Sequence, residues 1–542
     1  MITFFVSVVL LLGAYHLYGS FLDRVLGIDP HRPMPCQTKF DGVDFVPLPW
    51  WRVYLIQLLN IAGLGPVFGA IMGALWGPVV FLWIVLGGIF AGAVHDYVAA
   101  CISIREGGLS LTGIIEKYLG RPVLRVMLVL TLVLLVMVGV LFVMGPARIL
   151  ADLCATGHLG SAAVLTPEAA ETPGAGSASP ATTTAASSAA GPAGSPGAGS
   201  AASPAASPAP ATAASDARPF YTQALFWGAL IFVYYFAATL LPIDALIGRI
   251  YPFFGASLLV MVAMIIWEIV TGRLVIPELT LANLHPAGAP IWPMMMVTVA
   301  CGAISGFHAT QSPMMARTIE SEGYADRVFY GAMLTESLIA LVWAAAAIGL
   351  FHGDTALLKA ALGPKNEAVL VVKQVGALLG PTGFVLILLG VVALPVTTGD
   401  TAFRSARLIL ADLLAIDQRS AGKRLAIMAP LFGIALWLTT TNFATIWTYF
   451  AWMNQTLSVF TLWACTVYLR HHGRNHYVTM IPAIFMTMVV TSYILIDAKA
   501  GFGASPWLGT ILSLIAAAIC LGQALSRSIH EEIEPAPAPA AS

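Results

Sequence analysis

An all-α polytopic membrane fold is what this sequence predicts, on three observations. Of its 542 residues, 58% are hydrophobic and only 10% charged, with a mean hydropathy of +0.85. A soluble domain carries about 25% charged residues, so too little polar side chain exists here to cover a soluble fold. Apolar stretches long enough to cross ~30 Å of hydrocarbon at ~1.5 Å per residue recur along the chain. The Lys and Arg residues between those stretches alternate in number, as the two faces of a membrane require.

The stretches fall at 3–22, 51–76, 79–104, 122–150, 221–241, 251–271, 290–316, 328–352, 376–414, 425–441, 443–469, 478–496 and 506–525. About thirteen transmembrane helices are expected. The first lacks the positive n-region and small-residue cleavage site of a signal peptide and reads as a retained span. The stretch 376–414 is too long for one straight helix, and Pro395 marks its interruption. With the N-terminus outside, 19 of the 26 basic residues face inward. That predicts a multi-pass protein of the cell inner membrane, N-terminus outside and C-terminus cytoplasmic.

Composition also excludes. A formal net charge of −1 supplies no basic face for nucleic acid. Six cysteines at 36, 101, 154, 301, 465 and 520 show no CxxC spacing, so neither zinc nor a disulfide framework is expected. No HExxH, GxSxG or P-loop pattern occurs, which argues against an enzyme. No metal or other cofactor is expected beyond a coupling H+ or Na+. The expected partners are a small-molecule substrate and the lipid bilayer.

One composition break stands out, at 155–219. Gly174 to Ser215 is Ala, Ser, Pro, Gly and Thr without a charge, too poor in bulky apolar side chains to offset its ordering entropy. A disordered outer loop is expected there, and a disordered tail over 527–542.

Polar and helix-breaking residues at bilayer depth are costly, so they mark function. In NIAGLGPVFGAIMG, Asn60 is followed by Gly63, Gly65, Pro66 and Gly69, which predicts a broken helix whose freed backbone groups face a ligand. A plain packing face of small residues is the competing reading. In CGAISGFHATQSPMMART, Ser305, Gly306, His308, Thr310, Gln311 and Ser312 crowd one interval with Pro313 beside them, and no lipid-facing helix carries that load. A lone histidine is commonly a satisfied core residue, but this one has four hydrogen-bonding neighbours. These two segments are the expected substrate site.

Coupling groups are expected in two further segments. Thr397, Thr398, Asp400 and Thr401 offer hard oxygen ligands or a protonatable relay; alternatively Asp400 caps the following helix and pairs with Arg404. His95 and Asp96 place a carboxyl beside an imidazole inside the third stretch, a proton-handling pair, or a structural ion pair reaching inner-face basic residues. Glu336 ranks behind these. Glu268 reads as interfacial, and His471 to His476 as a solvated inner loop.

The two broken stretches lie five helices apart and run in opposite directions. Paired discontinuous helices of opposite orientation point to an inverted-repeat transporter. The domains are then a peripheral helix and inner loop (1–50), a first repeat (51–154 with 220–271), a second repeat (290–469) and two peripheral helices (470–526).

Four ordered motifs, NIAGLGPVFGAIMGALWGP, GAVHDYVAACISIREGGLSL, CGAISGFHATQSPMMARTI and TTGDTAFRSARLIL, together resemble the carbon starvation protein (CstA) family of bacterial membrane transporters. The resemblance implies a LeuT-type five-plus-five inverted repeat, and import of peptides or pyruvate coupled to protons. A proton-coupled importer working by alternating access is the expectation. The alternatives are a sodium-coupled amino acid or peptide symporter, and a channel, which cannot accumulate substrate uphill.

Overall fold

A computed structural model describes residues 1–42, 45–156, 219–240, 244–363, 368–414, 416 and 420–527. The segment expected to be a disordered loop falls outside the described residues except at its ends, and so does the C-terminal tail beyond Arg527. Apart from one isolated bridge between Leu48 and Ile319, the described residues are helical or irregular.

Among the described residues, eight helices are long and apolar enough to cross a membrane. They include α1 (Ile2–Leu26) at the N-terminus. Five of the thirteen expected spans, 51–76, 221–241, 290–316, 425–441 and 443–469, have no helix of that kind of their own, and two of them, 51–76 and 290–316, are interrupted. The first begins as α2 (Trp50–Ile61), leaves helical geometry at Ala62, and resumes as a wide turn over Gly65–Gly69. A helical run then leads through Gly88–Gly92 into α3 (Ala93–Arg105). Next come α4 (Arg121–Thr156), α5 (Ala224–Leu240) and α6 (Asp244–Val270).

The second interrupted crossing is helical from Pro293 to Thr298, after a non-helical Trp292, irregular from Val299 to Phe307, and helical again in α7 (His308–Ala316). The structure therefore narrows and shifts both expected breaks. Gly65 to Gly69 stays helical, and so do His308 to Ser312. Glycine permits unwinding without enforcing it. Pro313 sits inside α7 without ending it.

The chain continues through α8 (Gly331–Leu350), α9 (Leu394–Leu413), α10 (Ala421–Leu438), α11 (Phe443–His471), α12 (Tyr477–Ile496) and α13 (Pro506–Ser526). The interruption expected at Pro395 is a wide turn, Leu388–Ala393, just ahead of it. Proline has no N–H to return to the carbonyl four residues earlier, so the preceding turn opens.

Burial sorts these helices. Nearly every residue of α8 is buried, Trp343 completely. At the other extreme, Leu514 and Ile519 of α13 are half exposed. An apolar side chain left in the open on a span faces lipid, which solvates it as well as a core does.

Candidate functional site

The two irregular segments touch. A Cβ placed on Gly65 falls 2.4 Å from the Sγ of Cys301, and one on Gly302 falls 3.9 Å from the Cβ of Pro66. A Cβ on Gly69 would fall 3.2 Å from the carbonyl oxygen of Thr298. The small residues of the first crossing thus serve close approach to the second. Gly63 meets a different partner, the Phe142 ring of α4.

The second break also presses on the helix carrying Asp96. A Cβ on Gly92 would meet the carbonyl oxygen of Ala303 at 2.4 Å, and one on Gly88 the hydroxyl of Ser337 in α8. Gly88, Gly92 and Asp96 are spaced by four and so share one helix face. Two of the three lack a side chain, which lets the third reach across the contact.

What it reaches is His308. Asp96 Oδ2 lies 2.9 Å from His308 Nδ1, and Asp96 Oδ1 lies 2.8 Å from His95 Nδ1. The other ring nitrogen of His308 is 3.3 Å from Glu336 Oε2 on α8. All four side chains are completely buried. Neither Glu336 oxygen closes a hydrogen bond, and His95 Nε2 has no partner.

The proton inventory of this chain is constrained. An ionised Asp96 accepts at both oxygens, so each imidazole places its proton on Nδ1. His308 Nε2 and Glu336 then face each other at 3.3 Å, and a single proton on the pair would have two placements. Either the imidazolium meets a carboxylate or a neutral imidazole meets a carboxylic acid. Buried ionisable groups in a membrane protein are expensive to retain and mark ion or proton pathways.

The irregular backbone is satisfied from α11. Asn454 Oδ1 accepts from the Phe307 amide at 2.7 Å and from the Ser305 hydroxyl at 3.2 Å, while its backbone carbonyl accepts from the Gly306 amide at 3.0 Å. Gln455 Nε2 donates to the Met296 carbonyl at 2.7 Å. Both side chains are completely buried. Sequence reasoning missed this pair, although a polar doublet inside an apolar span was the same signal that singled out His308. It also passed over Gln57, which donates to the hydroxyl of Ser312 at 3.1 Å and so ties α2 to α7.

The remaining predicted residues divide. Gln311 donates to Thr310 at 2.9 Å and keeps a buried, unpartnered carbonyl oxygen. Asn60 is buried and makes no side-chain hydrogen bond among the described residues. Thr398 donates to the carbonyl of Leu59, near the end of α2, at 3.2 Å. Thr397 and Thr401 bond their own helix. Asp400 lies inside α9 and does not cap it. Its Oδ2 accepts from Arg404 at 3.3 Å, and Arg404 also donates to the Ala238 carbonyl of α5. Thr398 therefore faces the first break while Asp400 faces α5.

These features define a polytopic all-α membrane protein whose two broken helices meet over a buried His–Asp–His–Glu chain. Residues 1–184 and 209–384 match the family model described as Carbon starvation protein CstA, and the chain belongs to that family. An uncharacterised membrane protein of Haemophilus influenzae is 39% identical over 376 residues, 66% of this chain and 93% of that protein. The peptide transporter CstA of Escherichia coli is 31% identical over 350 residues, 62% of this chain and 48% of the relative. The pyruvate/proton symporter BtsT of the same organism is 25% identical over 359 residues, covering 62% and 49%. The matched region thus spans about half the length of the two named relatives.

Proposed function

We propose that this protein is a secondary transporter that imports a small organic solute, a pyruvate-like carboxylate or a peptide, together with protons across the cell inner membrane. The observation that carries the reading is the meeting of two broken crossings beside the His95–Asp96–His308–Glu336 chain. Named relatives transport peptides or pyruvate with protons.

In this reading the chain forms a LeuT-type pair of inverted repeats, 51–154 with 220–271 and 290–469, within about thirteen spans, N-terminus outside. Alternating access exposes the substrate site between the breaks to each side in turn. Solute binding near Gln57, Asn60 and Gln311 favours one protonation state of the His308–Glu336 pair, and reorientation releases both together. Asp400, held by Arg404, contributes structure.

A second reading has one observation in its favour. The Thr398 hydroxyl beside the freed Leu59 carbonyl pairs two hard oxygen ligands at the first break, a chemistry that suits sodium. Uptake of labelled pyruvate and dipeptides into proteoliposomes, under a pH gradient and then a sodium gradient, separates the two. Accumulation driven by pH alone is the expected result. Accumulation driven only by sodium overturns proton coupling, and equilibration without accumulation under either gradient overturns the transporter reading in favour of a channel.

A further inference from the structure

A groove of about 460 Å³ opens between α1, α2 and the start of α8. Its walls are graded. At one end lie Leu12 of α1 and Leu338 of α8. At the other lie His16, one turn beyond Leu12, Trp50 at the start of α2, and Arg327, which precedes Leu338 by eleven residues, ~16 Å along a helix. Tyr54 crosses the floor, its hydroxyl 2.7 Å from that of Thr335. The three elements therefore bring their polar residues to one end and their leucines to the other.

Arg327 is exposed and meets no carboxylate within ion-pair distance among the described residues. Its guanidinium rests 5.6 Å from the Trp50 ring and 5.7 Å from the Tyr324 ring. The adjacent carboxylate of Asp326 makes no ion pair with it: Oδ2 accepts from Tyr15 at 3.5 Å, and Oδ1 is buried without a hydrogen-bond partner. A cation braced by aromatics above an apolar slot complements an anionic head group above an acyl chain. From this we infer that the groove holds one anionic glycerophospholipid of the surrounding membrane. Its phosphate lies on Arg327 and one chain lies between Leu12 and Leu338, bridging α1 to the two helices beside it.

The test uses the full chain in phosphatidylcholine nanodiscs containing a minor fraction of phosphatidylglycerol, with retained lipid counted by native mass spectrometry after detergent exchange. One phosphatidylglycerol per protein is expected to persist. Arg327→Gln should lower its retention about fivefold, the factor of one interfacial cation. Leu12→Trp, which fills the apolar end from an exposed position, should lower it as well. Arg121→Gln, at an exposed arginine outside the groove, should leave it unchanged. Equal retention of phosphatidylcholine overturns the proposal, as does full retention in the Arg327 variant or a lipid-free dimer that covers the groove with a second copy.

Discussion

Asp96 and His308 stand 212 residues apart in the chain and share a buried hydrogen bond of 2.9 Å. The carboxylate sits on an unbroken helix and the imidazole at the first position after an irregular segment. Any movement of that segment relative to α3 changes the environment of both groups, and so links backbone rearrangement to proton affinity.

Replacing Asp96 with Asn keeps the shape of the site but removes the charge that holds two imidazoles. In proteoliposomes, gradient-driven accumulation is expected to fall at least tenfold while substrate exchange persists. Full accumulation in this variant would remove Asp96 from coupling. The comparison Asp400→Asn should leave coupling intact and act on stability, because Asp400 pairs with Arg404; loss of coupling there would return Asp400 to the ion site.

His308→Ala leaves Asp96 and Glu336 buried with one partner fewer. Breaking a buried pair by removing one member costs about 3–5 kcal/mol, so a marked drop in melting temperature is expected. Adding Glu336→Gln, which removes the second carboxylate, should recover part of the loss. An additive double variant would show that the two side chains do not interact.

Asn454→Ala removes the acceptor of the Phe307 backbone amide, which bonds no other group among the described residues. A loss of about 1–3 kcal/mol is expected, and Asn454→Gln, which keeps both the acceptor oxygen and the NH2 donor without burying a charge, should lose less. Thermal unfolding in detergent measures both. If the two variants unfold together with the wild type, the irregular segment does not depend on α11.

Glu322 accepts from Arg32 at 2.9 Å and from Arg105 at 2.6 Å, and it is completely buried. Glu322→Gln leaves two guanidiniums facing a neutral amide, with an expected loss of about 3 kcal/mol. Proteolysis rates of the loop carrying Arg32 should rise with it; unchanged protection would mean the triad holds nothing in place.

Gly92→Ala drives a methyl into the Ala303 carbonyl, whereas Gly13→Ala in α1 meets nothing within 4 Å. The first is expected to lower folded yield sharply. The second should be neutral or stabilising by about 0.4–1 kcal/mol, since it restricts the unfolded chain. Equal behaviour of the two would contradict the close approach at Gly92.

Much of this was legible in the sequence. Hydropathy locates the eight long apolar helices among the thirteen expected spans, because a span must be apolar for about twenty residues whatever it packs against. Gly, Pro and polar residues at bilayer depth point to the two interrupted crossings, though not to where within them the helix breaks. The pairing of Asp96 with His308 does not, since no local rule connects residues so far apart. The spacing of Gly88, Gly92 and Asp96 was a visible sign that Asp96 lies on a contact face. Reading Thr398 and Asp400 as one cluster neglected helix geometry: residues two apart point about 160° away from each other.

The two sides of the second interruption are held differently. Toward α3 the contact runs past Gly88 and Gly92, which present no side chains to interlock. Toward α11 the same segment is gripped by Asn454, which hydrogen-bonds Cys301, Ser305, Gly306 and Phe307. A surface without teeth slides and a clasped one does not, so the segment should travel with α11 as a single lever while the glycine seam acts as its slip plane.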